Sequence, residues 1–296
     1  MGIEFIKIIP SFLAGVSVLF MGAPVLGEMV ATRAPWFSAR ASYSPRELGL
    51  SFEEVSFRNE DNLLLRGWFF PAETECAPAV LYAPPTSSDQ RSGLPMVEML
   101  HDAGYSALLF SYRGHGESEG DPWGFTYGAA ESRDVDAAVR FLKEQRGVER
   151  IAAVGHSAGA VAVMLSAARN PDINAVVAAS PFVSIESVWQ TNRPSWIPQG
   201  VNDLYLHLAE LRKGFSRMDV NLLEVISRIS PRPVLIVHGE NDRRVTLEQA
   251  RAIYQSAQAP KTFWLLEGVN HHRVRELVLG GLSGRVVNFL DGALSK

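Results

Sequence analysis

The chain of 296 residues contains one cysteine, Cys76, so it can form no internal disulfide, and it has neither a Cys-x-x-Cys pair nor a Cys/His cluster at metal-ligand spacing. An internally disulfide-held scaffold is thereby excluded and a zinc site is not indicated, and neither metal nor organic cofactor is expected. Charge of one sign is nowhere concentrated. The 28 basic and 32 acidic residues are interspersed, give a formal net charge of -4 and form no basic stripe, which argues against nucleic acid as a partner. Internal repeats and low-complexity tracts are also missing, so no solenoid is indicated.

What is present is apolar: 47% of the residues are hydrophobic, enough to bury a full core in one domain. The segment "IIPSFLAGVSVLFMGAPVL", Ile8 to Leu26, carries no charge over roughly the 20 residues that a spanning helix needs. It reads as a single-pass membrane anchor within residues 1–30, in competition with a cleaved signal peptide ending near Gly27 and with a buried core helix. Glu4 cancels Lys7 in "MGIEFIK", a poor basic leader. Arg33, Arg40 and Arg46 outnumber Lys7 near the segment and lean the rest of the chain toward the cytoplasm. Residues 31–50 carry Pro, Ser and Arg without strong periodicity and read as a linker. Residues 51–296 read as one α/β domain.

From Phe52 onward short apolar runs alternate with helical repeats, the pattern of a mostly parallel sheet with helices on both faces. "FEEVSFR" and "NLLLRGWFF" about the turn "NEDN" predict a hairpin. "PAVLYA", "YSALLFSY", "RIAAVG", "INAVVAAS", "RPVLIVHG" and "KTFWLLEG" predict six further buried strands. Val135, Ala138, Val139 and Leu142 fall at i, i+3, i+4 and i+7, as do Ala250, Ile253, Tyr254 and Ala257, which predicts two crossover helices. Thr246 and Gln249 form a capping-box pattern at the start of the second, and Val274, Leu277 and Val278 begin a closing helix. The alternation breaks over residues 184–232, too long for a bare loop. With "LYLHLAELRKGF" as a helix, that stretch predicts a helical cap insertion over one end of the sheet.

One serine stands where strand gives way to helix. Gly155-His156-Ser157-Ala158-Gly159 is a G-x-S-x-G element, short enough to occur by chance but placed here in the strand-turn-helix context that gives it meaning. A nucleophile on such a turn has strained dihedrals, and side chains two residues to either side would collide with the adjoining strand or helix, so glycine suits both places. The helix N-terminus beneath Ser157 also favours developing negative charge. A serine hydroxyl needs a base, and the base an orienting acid. "VLIVHGENDRRV" ends a strand with Asp242 in the next loop, and "FWLLEGVNHHRV" does the same with His271 and His272. These positions follow strand C-termini, where ligands bind in such sheets.

The order Ser, Asp, His, together with "LLLRGWFFPA", "SYRGHGESEG", "GHSAG", "PVLIVHGENDRRV" and "LLEGVNHHR", resembles the α/β-hydrolase superfamily from about Ser44 to the C-terminus, and is similar to its membrane-associated, serine-aminopeptidase-like branch. The resemblance implies an α/β-hydrolase fold and a triad of Ser157, His271 and Asp242. The reaction it implies is cleavage of an ester, thioester or amide bond in a small-molecule acyl substrate, without cofactor. Asp242 is favoured over Glu240, which reads as a capping or solvent-facing residue, and His271 over His272. His115 and His156 read as loop buttresses, Arg113 as a brace against a neighbouring carboxylate, and Trp189 and Trp196 as cap packing before acyl-pocket lining.

One departure concerns the oxyanion hole. The superfamily usually has His-Gly-X after its third strand, with the N–H of X donating beside that of the residue after the nucleophile. Here the stretch is "LYAPPTSSDQ", which sets Ala83-Pro84 at His-Gly and Pro85 at X, and proline has no N–H. Ala158 supplies one donor. Thr86 is the expected second, with Ser87, a hydroxyl or a shifted register as alternatives. A fold that has kept the triad for binding, or an acyltransferase using the same triad, are the rival readings.

Overall fold

The computed structural model describes residues 44–196 and 198–294, Asn202 by its backbone alone. The Ile8–Leu26 segment lies outside the described residues, as do residues 31–43 of the linker. Eight strands form one sheet: β1 (Glu53–Arg58), β2 (Leu64–Phe70), β3 (Ala79–Ala83), β4 (Ser106–Phe110), β5 (Ile151–His156), β6 (Ile173–Ala179), β7 (Val234–Gly239) and β8 (Lys261–Leu266). Their spatial order is β1-β2-β4-β3-β5-β6-β7-β8. β1 pairs β2 and β2 pairs β4 antiparallel, and every later pairing is parallel.

The central strands β3 to β7 read as continuous apolar runs because both faces of the sheet are covered there. Side chains alternate across a strand: Ala79, Leu81 and Ala83 of β3 enter one core, and Val80 and Tyr82 the other. The helices are α1 (Val97–Asp102), α2 (Glu131–Arg146), α3 (Ala158–Ala167), α4 (Ile185–Asn192), α5 (Gln199–Lys213), α6 (Leu222–Val225), α7 (Leu247–Ser256), α8 (His271–Glu276) and α9 (Ser283–Leu294). The first core takes Val135 and Leu142 of α2, Val161 of α3 and Ile253 of α7. The second takes Leu100 of α1, Val274 of α8 and Leu290 of α9. Ser44 caps a 3₁₀ turn, Pro45–Leu48, and Leu48 and Leu50 of the expected linker pack on the second core.

Four local expectations are corrected. β8 is not buried: most of it is half-exposed, because it has a neighbour only on the β7 side. Thr246 does cap α7 by accepting from the Gln249 N–H, but no capping box closes. The Gln249 side chain instead meets the Val183 N–H, Ser187 and Thr191, tying α7 to the start of the cap. The closing helix is two helices, α8 and α9, joined by a π-type turn at Leu277–Gly281 and bent by 70°. The helix foreseen over "LYLHLAELRKGF" begins five residues earlier, at Gln199.

α4, α5 and α6 make up the 184–232 stretch, and a bridge between Ser184 and Asn221 closes its base. Among the described residues no single helix is long and apolar enough to cross a membrane.

Candidate active site

β5 ends at His156 and α3 begins at Ala158, so Ser157 alone makes the turn, at φ 55° and ψ −121°. A non-glycine residue there is strained by about 1–3 kcal/mol. Surrounding structure holds it: the Ser157 N–H donates to Ala179 O at 2.8 Å, and all ten residues of α3 are buried. The flanking glycines are required by space. A Cβ on Gly155 would lie 2.3 Å from Gly159 O, and one on Gly159 would lie 2.3 Å from Ala83 O. Ala158 is the first residue of α3, where an N–H has no partner within its own helix.

The loop after β7 brings Asp242 beneath the site. One carboxylate oxygen accepts from the N–H groups of Arg244 (2.9 Å) and Val245 (3.0 Å), and the other meets His271 Nδ1 at 2.6 Å. Burial alone would raise this carboxyl. The hydrogen bond and charge of His271, with the Val245 N–H, outweigh burial and hold it down at about 2. Asp242 is therefore ionised across the physiological range and orients the His271 ring by accepting from Nδ1–H, which turns Nε2 away from the carboxylate. Asn270 caps α8 through the Arg273 N–H, which sets His271 at the first residue of that helix.

His156 lies against this pair, its ring 4.7 Å from that of His271, and its Nε2 donates to the His271 carbonyl at 3.0 Å. Burial and then the charge of His271 push it down to about 3, so it is a neutral buttress. His115 similarly meets the Arg113 carbonyl through Nδ1. Glu240 is exposed and accepts from the Gly268 N–H at 2.9 Å, a turn brace away from the imidazole. Arg113 reaches Asp134 and Asp61 at 2.8 and 2.6 Å. His272 is exposed at the rim and lowered by partial burial, then by the charges of Arg244, His271 and Arg275.

Ser157, His156, His271 and His272 share the wall of a cavity of about 470 Å³. Pro85 and Thr86 line it beside them; Ser87 and Ser88 do not. The cap contributes Val188, Trp189, Asn192, Arg193 and Tyr205 to the lining, and Phe182 and Tyr127 add to its apolar part. Trp189 thus does both things foreseen for it, packing at 5.9 Å from Tyr127 and 5.6 Å from Tyr205 while lining the cavity. Trp196 does neither and is 80% exposed.

Tyr127 was not legible as a site residue. It too has positive φ, 57°, on a loop stapled by the buried Glu131, which accepts from Thr126 and the Gly128 N–H. Gly128 and Glu131 were the available signals. No group of His, Cys, Asp or Glu suited to a metal ion occurs among the described residues.

Residues 93–213 match the family described as "Serine aminopeptidase, S33". An uncharacterized protein of Mycobacterium tuberculosis, Rv2307c, is 32% identical over 225 residues, which is 74% of this chain and 72% of that one. The polyketide transferase grgF of a Penicillium species is 24% identical over 262 residues, 74% of this chain and 88% of its own. Among solved structures, the Pyrococcus furiosus esterase Pf2001 superposes with a TM-score of 0.71 at 23% identity, over 86% of this chain and 97% of the esterase.

Proposed function

The chain belongs to the α/β-hydrolase superfamily, in its serine-aminopeptidase-like branch, and from that premise we propose that it is a serine hydrolase cleaving acyl esters or related bonds through an acyl-enzyme. The observation that carries this reading is the Asp242–His271 hydrogen bond on the wall of a cavity that Ser157 also lines. His271 Nε2 takes the Ser157 proton as Oγ bonds to the acyl carbon, and the oxyanion is met by the Ala158 N–H and a Thr86 donor. The carbon–leaving-group bond then breaks and His271 returns the proton to the departing group. Water, deprotonated by the same imidazole, bonds to the acyl carbon and releases the acid and Ser157. The apolar part of the lining suits an acyl chain or aromatic acyl group.

Labelling by a fluorophosphonate tests the reading: the wild-type chain should be labelled and Ser157→Ala should not. A wild type that resists labelling would favour a fold kept for binding. Kinship with a polyketide transferase favours one second reading, transfer of the acyl group to an acceptor other than water. The same acyl-enzyme serves it, and product analysis with added alcohols or amines separates the two. The reading also includes a single-pass anchor at Ile8–Leu26, with carbonate extraction of membranes as its test; release of the full-length chain would refute the anchor.

A further inference from the structure

The cavity lining is of two kinds. Tyr127, Phe182, Val188, Trp189 and Tyr205 are aromatic or apolar, and Arg244 and Arg275, with Arg193 of the cap, are cationic. Arg244 follows Asp242 by two residues, and Arg275 follows His271 by four, one turn along α8. Both line the cavity, and no aspartate or glutamate does. Among the described residues neither guanidinium forms an ion pair, whereas Arg113, Arg169 and Arg217 elsewhere each hold at least one. Asp242, the carboxylate nearest to Arg244 along the chain, is engaged with His271 and two backbone N–H groups, and Glu276, next to Arg275, pairs with Arg273 instead. Both arginines also act on His272, which sets their charges around one rim. Arginines that converge on a cavity without acidic partners leave bidentate donor capacity facing whatever enters.

Their side of the cavity matters. His271 must protonate the departing group, so that group lies beside His271, on the wall built by the loops of Asp242 and His271. We propose that the substrate is an ester or thioester joining an apolar acyl group to a leaving group that carries an anion, a carboxylate or a phosphate, and that Arg244 and Arg275 bind that anion. This rests on the serine-hydrolase reading and names the substrate class for that same site.

The test uses octanoyl esters of nitrophenol and of carboxynitrophenol, the nitrophenyl monoester of octanedioic acid, and octanoyl glycerol phosphate. Each kcat/KM is divided by the ester's hydroxide-catalysed rate. The wild-type chain should prefer the carboxynitrophenyl over the nitrophenyl ester by roughly tenfold or more, and should hydrolyse the phosphate-bearing ester. Salt should erode the preference, because exposed charges are screened. In Arg244→Gln/Arg275→Gln the preference should fall to about one, and in Arg244→Lys/Arg275→Lys most of it should persist.

An unchanged preference in the glutamine variant, or a wild-type preference for the neutral ester, would overturn the proposal. Selection of the octanedioic monoester alone would likewise overturn it, since the anion would then belong to the acyl side. Fluorophosphonate labelling and turnover of nitrophenyl octanoate by the wild type separate the two failures. If both are absent, the hydrolase reading fails; if both are present without anion preference, only this inference does.

Discussion

His271 Nδ1 and Asp242 Oδ2 stand 2.6 Å apart, with both side chains more than nine-tenths buried. That distance is short for a nitrogen–oxygen hydrogen bond, as expected where the acceptor is ionised, and of the two adjacent histidines it is His271 that makes the bond. On the proposed mechanism, His271→Ala and Ser157→Ala are expected to lower kcat by similar factors, on the order of 10³ or more, because each disables the same step. Asp242→Asn should cost nearly as much by releasing the wrong imidazole tautomer, while His272→Ala stays within a few-fold. Steady-state kinetics on nitrophenyl octanoate check this, and a greater loss in His272→Ala would reassign the base.

Acid should unfold this domain earlier than its net charge suggests. His156 is held at about 3 against an ordinary 6.5 by burial and by the charge of His271. Between those values the unfolded chain binds a proton that the folded chain refuses. Stability is therefore full above 6.5 and falls as the pH drops, with a slope approaching about 1.4 kcal/mol per pH unit. His238, lowered by burial, acts in the same direction, and Asp242 adds its own loss between 3.8 and about 2. His156→Gln keeps a donor for the His271 carbonyl but cannot titrate. Its Tm should decline less steeply over that window than the wild type's, as thermal melts across pH would show; an equal or steeper decline would refute the assignment.

The two elbow glycines make a sharper case. Gly159→Ala would press a methyl group to 2.3 Å from Ala83 O, and Gly155→Ala to 2.3 Å from Gly159 O, and in both places the obstacle is backbone. Each should destabilise by about 3 kcal/mol or more, the level of the more severe packing faults. Gly200→Ala, on α5 with nothing within 4 Å of the new Cβ, should be neutral or up to about 1 kcal/mol stabilising. Denaturant melts of the three variants give the comparison.

The elements legible in the sequence were those whose signal is local. The central strands were legible because a strand buried on both faces needs nothing but an apolar run, the opening hairpin because it alternates about a turn, and Ser157, Asp242 and His271 because each follows a strand-like run. β8 misled for the same reason: its composition is that of a core strand, and only its place in the spatial order exposes it. Gln249 carried a capping-box spacing, but the cap offered its side chain better partners in Ser187 and Thr191. Arg244 and Arg275 gave no signal at all. In the sequence they are two of many interspersed charges, and they acquire meaning only when Asp242 and His271, 29 residues apart, come within hydrogen-bond distance and carry their neighbours along.

The proline pair after β3 removes two backbone donors and, on the proposed mechanism, sets the third. Pro84 and Pro85 are buried, Thr86 lines the cavity beside Ser157, and Ser87 turns away from it in the left-handed region at φ 55°. Proline locks φ near −65°, so two in succession followed by a sharp reversal leave the Thr86 N–H little freedom. A rigid N–H serves an oxyanion better than a hydroxyl that must be oriented at each turnover. Thr86→Val deletes the hydroxyl and keeps the N–H, and it should therefore leave kcat within about threefold. Pro85→Gly restores an N–H at the usual donor position but loosens the loop that holds Thr86, so if the Thr86 N–H is the donor in use kcat should fall by roughly tenfold with KM little changed. Should Thr86→Val instead cost on the order of 10²-fold, the range for loss of one oxyanion donor, the hydroxyl is the second donor and the prolines serve only to position the side chain.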